Sequence, residues 1–138
     1  MSNSNKVHGT IKIEPPLNYG EIRMVNEGVK KATRNGYTVL ALSQTSHTED
    51  TEEGQFTKIT SNMVEVYGEG EYGVVEFLKE LAKHGKTHEF IGEITVVDED
   101  AEYIDYNSKD EARRYFIRDG KLIRQVPEII WGNEEEVK

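Results

Sequence analysis

Gly68-Glu69-Gly70-Glu71-Tyr72-Gly73 carries the sharpest chemical signal in the chain, a literal GxGxxG set between a strand ending at Tyr67 and an amphipathic helix. In a dinucleotide-binding turn of that spacing, bare backbone amides and a helix N-terminus meet a pyrophosphate. Glu69 and Glu71 place two carboxylates where that anion would sit, and both instead favour the positive end of the following helix. Gly68, Gly70 and Gly73 are therefore candidate nucleotide contacts whose alternative role is a capped helix start.

Hard cations are the second chemistry the residue types allow, because Ca²⁺ and Mg²⁺ seek several oxygens from one loop. Asp98, Asp100 and Glu102 begin an acidic stretch that runs on through Asp105, Asp110 and Glu111. Its spacing departs from the EF-hand pattern, with Tyr103 where the turn glycine belongs, so a solvated acidic loop is the competing reading. Glu49, Asp50, Glu52 and Glu53 form a second acidic tract of the same kind. His84 and His88 have the i, i+4 spacing of helical zinc ligands, but Gly85 ends the helix between them. No GxSxG elbow surrounds a serine, so no triad is assigned to His8 or His47. With 26 acidic residues, a pair of carboxylates facing some cleft carries no information about hydrolysis. No catalytic residue, cofactor or metal is assigned, and the reading leans away from an enzyme.

The aromatics concentrate in the C-terminal third. Tyr103, Tyr106, Tyr115, Phe116 and Trp131 would build either core or a contact surface. Strand alternation puts Tyr115 and Ile117 on one face and Phe116 on the other. Tyr103, Tyr106 and Phe116, with Glu49, Asp50, Glu52 and Glu53, are the candidate interaction residues.

A chain of 138 residues with net charge −9 is of single-domain size and lacks the basic footprint that sequence-independent binding to nucleic acid or anionic membrane requires. The absence of cysteine rules out disulfides, thiol nucleophiles and thiolate zinc sites and fits a reducing compartment. No apolar run approaches the roughly 20 residues of a membrane helix, and no signal-peptide core is present, so a cytoplasmic location is expected.

The elements that must position these residues follow from periodicity. Val7, Gly9, Ile11 and Ile13 alternate with polar residues in a strand that Pro15 and Pro16 stop. Asn18 and Glu21 have the spacing of a helix start, and Ile22, Val25, Val29 and Ala32 continue it to an Asn35-Gly36 cap. Residues 37–45 and 56–66 read as strands joined by a polar, acidic loop too charged to be buried. Val74, Phe77, Leu78 and Leu81 make a second helix, capped at Gly85. Residues 89–97 form another strand, and 114–118 with 121–130 form a hairpin around Asp119-Gly120, a type I′ signal. The order β-α-β-β-α-β followed by a hairpin predicts an α+β, ferredoxin-like sandwich with an additional C-terminal β-hairpin. One domain spans 6–131, between a flexible N-terminus at 1–5 and a flexible acidic tail at 132–138.

Pro15, Pro16, Leu17, Glu21 and Ile22, then Phe90, Gly92 and Ile94, then Arg114, Tyr115, Asp119, Gly120, Pro127 and Trp131 form a spaced pattern at the two ends of the chain. It resembles a family of small uncharacterised bacteriophage and prophage proteins, leaving the middle third unmatched. The resemblance implies phage origin, hence the host cytoplasm, and no activity that carries over. Acidity and motif poverty point to a non-covalent adaptor or inhibitor of a host protein that presents a basic or apolar patch. A small-ligand, nucleotide-binding or sequestering protein is the alternative, and a homo-oligomer is compatible with either.

Overall fold

The computed structural model describes residues 5–29, 38–69, 73–98, 112–128 and 130–138. Strand β1 (Asn5–Leu17) leads into helix α1 (Tyr19–Val29), which starts where Asn18 and Glu21 cap one another. Then come β2 (Thr38–Leu42), β3 (Thr45–Thr51), β4 (Gly54–Glu69), α2 (Val74–Ala82) and β5 (Glu89–Asp98). β6 (Ala112–Arg118) and β7 (Lys121–Gln125) close the chain as a hairpin. Asp119 and Gly120 both have positive φ, 54° and 73°, the geometry a type I′ turn demands.

All pairings among the described residues are antiparallel, in the order β2-β4-β1-β5-β6-β7, with β3 paired to the first part of β4. The expected ferredoxin-like β-α-β-β-α-β sandwich is corrected by this arrangement: the described residues form a mostly antiparallel seven-stranded sheet with two short helices. Part of the difference lies in the acidic segment after β2. Its charges oppose burial but not strand formation, and it pairs as β3 while every one of its residues stays exposed. β4 accordingly runs for 16 residues, serving β3 with its first part and β1 and β2 with its second.

The helices cover one face of the sheet. Val7, Ile11 and Ile13 of β1, Val64 and Val66 of β4, Ile94 and Val96 of β5, and Tyr115 and Ile117 of β6 point to that face and are buried. Against them pack Ile22 and Val25 of α1 and Val74, Phe77, Leu78 and Leu81 of α2, each large side chain worth about 1.5–3 kcal/mol when fully buried. The β1–β5 ladder ends at Glu14 opposite Glu89, immediately before the two prolines, which have no N–H to give. The Glu14–Pro15 peptide is cis, and β1 regains β4 at Leu17 opposite Ser61 after a register shift.

Candidate functional site

The β3–β4 hairpin leaves the body of the sheet as a two-stranded ribbon. Cross-strand pairs run from Thr45 opposite Thr60 to Thr51 opposite Gly54, with Glu52 and Glu53 in the turn. Ile59 alone among its side chains packs against the core, while all of β3 and the first five residues of β4 are exposed. Thr48 and Thr57 hydroxyls meet across the strands at 3.2 Å, and the Thr51 hydroxyl donates to the Gly54 carbonyl at 2.9 Å. On one ribbon face Phe56, half exposed, stands opposite Glu49, which the His47 ring approaches at 3.5 Å. Asp50 is on the other face. From Thr45 to Lys58 the ribbon carries Glu49, Asp50, Glu52 and Glu53 against one lysine. Carboxylates on an exposed ribbon keep their hydration and project a negative potential.

A second cluster lies at the same end of the strands, where β1 leaves its ladder with β5. Glu21 accepts the Asn18 N–H at 3.0 Å through Oε1, while its own N–H donates to Asn18 Oδ1 at 2.8 Å. Its other oxygen, Oε2, accepts from His88 Nε2 at 2.8 Å and faces His84 Nδ1 at 3.4 Å. His88 Nδ1 donates to the Pro15 carbonyl at 2.6 Å. Both His88 partners are acceptors, so the ring satisfies both only with a proton on each nitrogen. Burial pushes the Glu21 carboxyl up, but the Asn18 amide, the His88 hydrogen bond and the charges of His88 and His84 outweigh it and hold the group below its ordinary value. Gly85 makes this corner possible, since a Cβ there would sit 2.4 Å from the Gly120 Cα. The cluster ties β1, α1 and the α2–β5 turn together. A cleft of about 690 Å³ opens beside it, bounded by Gly85, His88, Gly92, Phe116 and Arg118. Its mouth follows from the β5–β6 ladder, which runs only from Ile94 to Val97 on β5.

The other sequence candidates separate. Gly68 lies inside β4, opposite Val7 on one side and Thr38 on the other, rather than in a loop. Gly73 is the α2 N-cap at φ 85°, and Gly70 falls outside the described residues. Asp98 ends β5, while Asp100, Glu102, Tyr103 and Tyr106 are outside the described residues. Among the described residues no group of three histidine or carboxylate side chains is placed to hold a metal ion, and no helix is long and apolar enough to cross a membrane. Phe116 is half-buried on the sheet face away from the helices, with the Arg118 guanidinium 5.5 Å from its ring centre.

Sequence reasoning set aside the His84–His88 spacing because Gly85 breaks the helix. The break is real, since α2 ends at Ala82, but the turn that follows still donates His88 N–H to the His84 carbonyl and brings both rings to Glu21. The i, i+4 spacing was the available signal; its carboxylate partner is 63 residues earlier than the nearer histidine and shows only as half of a helix cap.

A family of unknown function, DUF6205, matches residues 1–138, and the chain belongs to it. The match extends through the middle third, which the resemblance of the two ends left uncovered. No curated protein and no solved structure matches the chain.

Proposed function

We propose that this DUF6205 member acts by non-covalent binding to a protein, as an adaptor or inhibitor whose acidic ribbon engages a basic and partly apolar patch. The observation that carries the reading is the exposure of the β3–β4 ribbon on both faces. A segment that holds strand geometry while adding almost nothing to the core is placed to meet something outside the chain. Its four carboxylates supply long-range attraction and Phe56 an anchor, the pairing of steering and buried aromatic that makes contacts fast and specific. The resemblance of the chain ends to phage and prophage proteins supports a host protein in the cytoplasm as the partner.

The test is affinity capture from bacterial lysate at low salt and at roughly 0.5 M salt, where screening falls to a few ångströms. Wild type is compared with Glu49→Gln/Asp50→Asn/Glu52→Gln/Glu53→Gln and with Phe56→Ser. The reading expects a protein retained at low salt, released at high salt, and bound about tenfold or more weakly by each variant. Equal capture by wild type and both variants would sink it.

A further inference from the structure

The sheet face turned away from the helices carries Met63, Tyr67, Ile91 and Val97, 38–50% exposed. The strand registers place one kind of charge on each of the four inner strands of that face. β4 presents Glu65 and Glu69, β1 presents Lys6 and Lys12, β5 presents Glu89 and Glu93, and β6 presents Arg114 and Arg118. Read across the sheet the sign alternates: negative, positive, negative, positive. Leaving aside the ribbon part of β4, the exception among the described residues of this face is Glu14 at the end of β1, held by Lys12 at 2.9 Å.

We infer that this face is the contact between two copies of the chain, packed sheet against sheet. The midline of the six-strand path falls between β1 and β5. A two-fold axis along it exchanges β4 with β6 and β1 with β5, so each acidic strand of one copy lies over a basic strand of the other, with the charges staggered: Glu65 falls one row from Arg114, and Lys12 between the rows of Glu89 and Glu93. A foreign surface of a single sign would be opposed by half of these strands, whereas a second copy answers all four. Tyr67, His8, Thr95 and Arg114 share one row across the face, which brings Tyr67 of one copy towards Arg114 of the next.

The size is suitable. Six strands about 4.8 Å apart, the inner four taken as about seven residues and the outer two, β2 and β7, five residues long, at about 3.3 Å per residue, make up the face. That is about 600 Å² in projection, of the order of the ~800 Å² per partner of an ordinary stable interface. Within each copy Arg114 holds Glu93 at 3.0 Å, and both side chains remain 47% exposed, so each has a solvent side left for a counter-charge across the interface. Val126, Pro127 and Ile130 line a pocket together with Thr95 and Arg114. The ribbon projects from the other part of β4, so dimerisation and partner binding stand or fall separately.

Sedimentation equilibrium of the full chain at micromolar concentration is the test, with Glu65→Lys/Glu69→Lys as one variant and Arg114→Glu/Arg118→Glu as the other. Wild type is expected at twice the chain mass and each variant alone at the chain mass. An equimolar mixture of the two returns to twice the chain mass, because reversed β4 of one then faces reversed β6 of the other. Thr10→Arg, at an exposed threonine in the middle of the face, gives an independent loss of the dimer. Wild type at the chain mass, Thr10→Arg at twice it, or two folded variants that do not restore each other would overturn the inference.

Discussion

Glu21 gathers the Asn18 amide and two imidazoles on one carboxylate whose side chain is 18% exposed. Its carboxyl is held below its ordinary value of 4.5, so its contribution to stability is complete above that pH and is lost as the pH falls through the lower folded value. Glu21→Gln keeps an acceptor but removes the charge that both rings face. Urea unfolding is expected to show the variant about 1–3 kcal/mol less stable than wild type near neutral pH. The difference should begin to narrow as the pH is taken below about 4.5 and close as it passes the lower folded value, where folded wild type protonates the same group. A gap that does not change between pH 6 and pH 3 would mean that the carboxylate holds the corner by shape alone. The cap half of this arrangement was legible as Asn18 and Glu21 three residues apart. The histidine half was not, because β2, β3, β4 and α2 lie between Glu21 and His88 along the chain.

Among the elements, those whose sequence follows the burial pattern were legible and those built without burial were not. β1, β5 and α2 announce themselves because Ile11, Ile94 and Phe77 recur with the right period on a face that is buried. The β6–β7 turn was legible for a different reason: only a residue pair such as Asp119-Gly120 takes two positive φ values cheaply. β3 reads as loop because TSHTEDT has no apolar stripe, and none is needed in a ribbon wet on both faces. The same fact makes the ribbon separable from the fold. Replacing residues 48–57 with Asn-Gly, directly between the registered pair His47 and Lys58, removes no buried side chain. Thermal and urea unfolding should move by less than about 1 kcal/mol, with near-native circular dichroism. Loss of the folded state would show the ribbon to be part of the core after all.

At the scale of the whole molecule, the sheet partitions its work. One face, with both helices on it, makes the core; the other carries alternating charge; and the acidic ribbon extends from the end of β4. Net charge −9 was legible from composition, but its distribution was not, since the registers alone decide that Glu65 and Arg114 lie on one surface and Glu49 and Phe56 on another. The ferredoxin-like expectation failed at this scale, because counting strands by apolar period misses a strand with no apolar face. Hydrogen exchange on the full chain, with and without the protein captured at low salt, tests the central claim most directly. Amides from Thr45 to Lys58 are expected to gain protection on binding while those of β1 and β5 do not change. Protection confined to the β1–β5 face or to the cleft beside His88, with the ribbon exchanging as before, would contradict it.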